Sequence, residues 1–156
     1  MATPATPLVV TFGAFIPDTL RQMQQQFAMP LRASVILTSA QILGMFANPV
    51  TLVPAPGSGL LLFPLFAMCE TTPGTVNYAN GGLVNIGNVN TTFFQFAAAT
   101  ITNGNATLQS NTPGNFSTST QNLNNFPLQI TNSTGAFTAG NGTARVTVYY
   151  TVEPTS

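Results

Sequence analysis

The sequence predicts an all-β fold: a jelly-roll-like β-sandwich with an extended N-terminal arm and one or two short helices. Strand-favouring Thr, Val and Phe are abundant, Phe alone occurring 12 times in 156 residues. Gly (13), Pro (12) and numerous Asn punctuate the apolar runs at short intervals, the texture of many strands joined by turns. Near the C-terminus, Val146, Val148, Tyr150 and Val152 alternate with Arg145, Thr147, Tyr149 and Thr151, the period of a half-buried strand. A chain of this length supports its own hydrophobic core. It divides into an arm and short helix over residues 1–32 and a β-sandwich domain over residues 33–156.

Pro4 and Pro7 keep the start of the chain from regular pairing, so residues 1–16 read as an arm. Its apolar side chains, Leu8, Val10, Phe12, Phe15 and Ile16 among them, must be buried on this domain or on a neighbouring subunit. Pro17 and Asp18 suit the first turn of a helix running to Met29, with Leu20, Met23 and Phe27 on one face and four glutamines elsewhere. Ala33–Leu37 reads as a strand. Thr38 and Gln41 form a capping-box pattern opening a helix over Ser39–Phe46, which Asn48-Pro49 ends.

Val50–Val53 reads as a strand joined by the turn residues 54–59 to Leu60–Cys69 as its hairpin partner. The near-continuous apolarity of that second strand implies burial on both faces or a subunit contact through Leu61, Phe63 and Phe66. Pro64 argues for an unpaired edge near its middle. Thr72-Pro73-Gly74 and Asn80-Gly81-Gly82 read as turns, and Leu83–Val89 as a strand with Val84 and Ile86 on one side. Thr92–Ile101 reads as a strand, although Ala97-Ala98-Ala99 keeps a helix open. Residues 103–123, rich in Asn, Thr, Ser and Gly, read as a solvent-facing loop with short strands. Asn125–Thr131 reads as a strand whose Pro127 suggests a sheet edge, and Asn141-Gly142 as a hairpin turn before the last strand.

Charge narrows the function. The chain has three Arg, no Lys, three acids and no His; only 4% of residues are charged, against about 25% in a typical soluble domain. General acid–base catalysis needs titratable groups, so no catalytic residue is expected and the chain reads as no enzyme. No acids, His or Cys lie at ligand spacing, so neither metal nor cofactor is expected. Scattered arginines give little for nucleic acid or anionic membranes, and no small-molecule substrate is implied. The longest apolar run, Leu60–Cys69, is half a membrane span. Cys69 reads as a buried, inert thiol, and five N-x-[ST] sequons as chance in an Asn- and Thr-rich chain without a secretory leader. Near-zero net charge favours self-association. Arg145 can meet Glu70, a partner chain or solvent; Tyr149, on the polar side of the last strand, is a candidate interface aromatic.

Several stretches resemble a known family: Leu37-Thr38-Ser39-Ala40-Gln41-Ile42, the run Asn48 to Gly59, Gly81-Gly82-Leu83, and Phe137 to Tyr150. Together they resemble small virion structural proteins of tailed bacteriophages and prophages, over about residues 33–152. That resemblance implies a β-rich virion component without enzyme activity, commonly a capsid decoration (cement) protein. Such proteins are often homotrimers that bind the major capsid protein between capsomers on the outer capsid surface, after synthesis in the bacterial host cytoplasm. A head- or tail-fibre or spike module that binds a host receptor or glycan is the alternative.

Overall fold

The computed structural model describes residues 30–88, 91–112 and 124–155. The expectations for the arm and first helix, with Leu8, Val10, Phe12, Phe15, Ile16, Leu20, Met23 and Phe27, lie outside those residues, as does the part over 113–123 of the loop expected over 103–123. Among the described residues the strands in chain order are β1 Leu31–Leu37, β2 Val50–Val53, β3 Leu60–Thr72, β4 Ala79–Asn80 and β5 Val84–Gly87. They continue as β6 Thr92–Phe96, β7 Thr107–Asn111, β8 Leu128–Asn132, β9 Phe137–Thr138 and β10 Thr143–Pro154. Two short helices, α1 Ser39–Gly44 and α2 Ala99–Thr102, complete the set. The fold is all-β, and every strand pairing is antiparallel.

Two four-stranded sheets form the body, one in the order β1-β10-β3-β7 (sheet A) and one in the order β2-β8-β5-β6 (sheet B); β4 and β9 make a two-stranded ribbon. The chain behaves as one long hairpin rolled on itself. β1 pairs with β10, β2 with β8, β3 with β7 and β5 with β6, successive rungs falling alternately in sheets A and B. The pairings β10–β3 and β8–β5 close the roll.

The core lies between the sheets and is complementary in size. Over its middle, sheet A turns small side chains inward, Ala67, Cys69, Ala144, Val146 and Val148, with Leu37 and Leu62 elsewhere on its inner face, whereas sheet B supplies the bulk in Ile86, Phe94, Phe96, Leu128 and Ile130. Large groups from one layer fill the space left by small groups of the other, which keeps the interior at close-packed density. Burial also explains Cys69: desolvation pushes its thiol up to about 12, so it is inert packing rather than a nucleophile.

Local signals are realised where they are self-contained. Thr38 caps α1: its Oγ1 accepts from Gln41 N, and its own N–H donates to Gln41 Oε1 at 2.9 Å. The alanine stretch divides, β6 ending at Phe96 and α2 starting at Ala99. Asn80 and Gly81 take positive φ, as the turn composition requires.

Three long-range expectations are corrected. Residues 54–59 do not join a hairpin, because β2 pairs in sheet B and β3 in sheet A, so this loop crosses between layers. Pro54 and Pro56 lack the N–H groups a ladder needs, and Asn125 Oδ1 and Asn124 Oδ1 instead accept from Gly57 N and Gly59 N, each at 2.9 Å. Asn141-Gly142 is not a hairpin turn either, since β9 pairs with β4. Asn141 is drawn to the 75–76 segment, accepting from Val76 N and donating to Thr75 Oγ1, both at 2.9 Å. Pro127 does not mark an edge: β8 begins after it, at Leu128, and lies between β2 and β5.

Candidate interaction surface

The outer face of sheet A is assembled by a β-bulge. On β3, Pro64 stands opposite Tyr150 and Phe66 opposite Tyr149, so Leu65 is an extra residue. The bulge shifts the parity of the strand. Before it, Leu62 and Pro64 are buried; after it, Ala67, Cys69 and Thr71 are. Leu61 and Phe63 therefore share the outer side with Phe66, Met68 and Glu70, although no period-two pattern joins all five. Pro64 fits this place because, among the described residues, β7 pairs with Ala67–Thr71 and does not reach the proline.

Register then sets out the face in rows. Ile36, Arg145, Glu70 and Leu108 form one row across the four strands. Ser34, Thr147, Met68 and Ser110 form the next, and Arg32, Tyr149 and Phe66 the third. Thr151 beside Phe63 and Glu153 beside Leu61 continue it along β3 and β10. Ile36 and Leu108, at opposite edges, are 59% and 64% exposed.

Side chains on this face order one another. The Phe66 and Tyr149 rings meet at a tilt of 47° with centroids 6.2 Å apart. Ser34 Oγ and Thr147 Oγ1 share a hydrogen bond of 3.0 Å. Arg145 Nη1 lies 3.5 Å from Glu70 Oε2 with both side chains about half exposed, so the pair orients the row more than it stabilises the fold. Of the alternatives open to Arg145, the meeting with Glu70 is the one present, and Phe63, Phe66, Arg145 and Tyr149 share one face with Leu61. Ile36, Met68 and Leu108 also lie there, and sequence reasoning missed them. Ile36 and Met68 sit in runs that read as wholly apolar, and Leu108 stands alone in a polar stretch; only the pairing register aligns the three.

Sheet B presents a different outside. Thr51, Gln129, Thr131, Asn85 and Gln95 occupy its outward positions, so amides and hydroxyls line it. Thr131 Oγ1 donates to the Met45 carbonyl at 2.9 Å. Below the 71–78 segment is a crevice of about 10 Å³, bounded by Ile42, Thr71, Tyr78 and Ile101, which has room for one water and no larger ligand. Among the described residues, no three His, Cys, Asp or Glu side chains cluster to hold a metal ion, and no helix is long and apolar enough to cross a membrane.

No family model matches the chain, and no curated protein matches it in sequence. Among solved structures it is similar to one described as the cyanophage Pam1 capsid asymmetric unit, at 21% identity and a TM-score of 0.48 over 96% of each chain.

Proposed function

We propose that this chain is a bacteriophage virion structural protein, a capsid decoration protein that binds between capsomers as a homo-oligomer and performs no catalysis. The observation that carries the reading is the outer face of sheet A, which sets the large side chains Leu61, Phe63, Phe66, Met68 and Tyr149 in register beside the Arg145–Glu70 pair. Such a surface is stable in water when another protein surface covers it, and permanent interfaces are apolar and poor in charge at their centre. The resemblance of residues 33–152 to phage virion proteins supplies the context. The strand order, with β4 and β9 set aside, runs 1-8-3-6 over 2-7-4-5 and supports reading the sandwich as a jelly roll.

In this reading the outer face of sheet A joins copies into a trimer, the arm over residues 1–16 grips the major capsid protein on the outer surface of the head, and the polar outside of sheet B meets solvent. Light scattering on the purified full chain tests the self-association, with a trimer expected; a monomer at micromolar concentration would overturn it. Adding the protein to phage capsids tests the location. Saturable occupancy is expected, lost on deletion of residues 1–16 while the trimer persists. Capsids that take up the deleted form normally would refute the role of the arm.

A second reading, a fibre or spike module that binds glycan, is favoured by the amide- and hydroxyl-lined outside of sheet B. Glycan-array binding that disappears on Gln95→Ala and Gln129→Ala would select it.

A further inference from the structure

We infer that the two edges of sheet A pair with each other between copies: β7 of one copy adds to β1 of the next, antiparallel, with Leu108 opposite Ile36 and Ser110 opposite Ser34. This rests on the self-associating reading and names a contact for it that strand edges make.

The four edge strands are not alike. In sheet B both edges carry a bulge: Leu52 is an extra residue in β2 against β8, and Phe93 an extra residue in β6 against β5. A bulge on an edge strand is one of the devices that keep a sheet from adding a foreign strand; prolines and lysines are others. Sheet A has none of them at its edges. β1 runs through seven residues and β7 through five in unbroken register, and neither contains Pro, Gly or Lys. The bulge of sheet A lies on β3, an interior strand. Among the described residues, no backbone–backbone hydrogen bond reaches β1 or β7 other than those of the ladders with β10 and β3. Two regular edges are thus left open on the same molecule that guards its other two.

Direction and register fit the two open edges together. Three antiparallel pairings separate β1 from β7, so the two strands run in opposite directions within one copy. Copies related by rotation about an axis along the strands therefore bring β7 beside the next β1 antiparallel. The row Ile36, Arg145, Glu70 and Leu108 ends at each edge in an exposed aliphatic side chain. Setting Leu108 opposite Ile36 joins such rows end to end and covers both side chains. The same register sets Ser110 opposite Ser34, polar to polar, and pairs the whole of β7 with residues 33–37. A slip of one residue sends the aliphatics to opposite faces, and a slip of two separates them. Pairing β1 with a second β1 about Ser34 would instead set Ile36 beside Arg32. Along the joined row the charges alternate in sign, Glu70 of one copy being followed by Arg145 of the next, so like charges do not meet across the seam. A contact between two different edges is head-to-tail and closes into a ring when its rotation permits, as a trimer requires.

Cross-linking on the full chain tests the pairing. Ser34 and Ser110 are exposed, and within one copy they stand at opposite edges of the sheet, about 14 Å apart. A chain carrying both Ser34→Cys and Ser110→Cys, treated with a short bismaleimide, is expected to give covalent oligomers, whereas either substitution alone gives none; native Cys69 is buried and stays out of the reaction. Ile36→Glu is expected to weaken self-association about tenfold. Leu108→Lys in the same chain should restore it, because the two new charges then face each other across the seam. Circular dichroism should stay unchanged in both, since each new charge has an opposite neighbour in its own copy, Arg145 beside position 36 and Glu70 beside position 108. An intact oligomer whose double-cysteine chain stays unlinked, or that Leu108→Lys fails to restore, overturns the inference and leaves self-association standing. Links formed by Ser34→Cys alone would mean that β1 pairs with itself and overturn it as well. Monomeric wild-type protein overturns both.

Discussion

Phe66 and Tyr149 face each other across the β3–β10 ladder, one residue from the bulge that turns Phe66 outward. Were Leu65 paired in a regular ladder instead of bulged, Phe66 would point into the core and Ala67 to the outside. Pairs of this kind contribute about 0.5–1.5 kcal/mol beyond their buried area. A double-mutant cycle with Phe66→Leu and Tyr149→Leu is expected to show a coupling of about 0.5–1 kcal/mol in chemical denaturation. Either change alone should weaken self-association at least tenfold, read by light scattering. Unchanged assembly in both would remove this pair from the contact.

Asn141 is expected to matter to stability more than its exposed position suggests. Its side chain accepts from Val76 N and donates to Thr75 Oγ1, holding the segment after β3 against the start of β10. Asn141→Ala should cost about 1–2 kcal/mol in the denaturation midpoint. Gly74→Ala should cost more, above about 2 kcal/mol, because a Cβ there would stand 2.7 Å from the backbone at both Asn141 and Gly142, where no flexible group can yield.

Tyr78 tests the same corner from inside. Its hydroxyl donates to the Gly142 carbonyl at 2.7 Å, and its ring meets Phe137 edge-on with centroids 6.2 Å apart. Tyr78→Phe keeps the ring contact and strands a buried carbonyl, so a loss of about 1–2 kcal/mol is expected in thermal or chemical unfolding. A neutral result would show that water reaches Gly142.

Cys69 gives a prediction in pH. The folded thiol keeps its proton to about 12, whereas the unfolded thiol loses it near 9.0. Between those values the unfolded state binds fewer protons, so the stability contributed by the neutral buried thiol is complete below pH 9 and declines as pH rises toward 12. The decline approaches about 1.4 kcal/mol per pH unit. Subtracting the Cys69→Ala stability curve from that of the wild type isolates this slope from other groups, Tyr78 among them. The thiol should also resist alkylation at pH 8 until denaturant is added. Rapid labelling of the native protein would contradict its burial.

Features whose partners lie a few residues apart were legible in the sequence. The capping box of Thr38 and Gln41 needs only three residues of separation, and the alternation from Arg145 to Val152 needs only the two-residue pleat, so composition and spacing determined the all-β class, α1 and β10. The scarcity of charge likewise pointed to contact surfaces. The partners of each strand were decided by tertiary structure alone, because a turn such as 54–59 is compatible with a neighbour in the same sheet or with a facing strand in the other. Pairing energy comes from residues as far apart in the chain as Leu31 and Tyr150. Tertiary structure alone also set the outward face: one extra residue at Leu65 reverses the parity of β3, and only the registered rows bring Ile36, Arg145, Glu70 and Leu108 side by side.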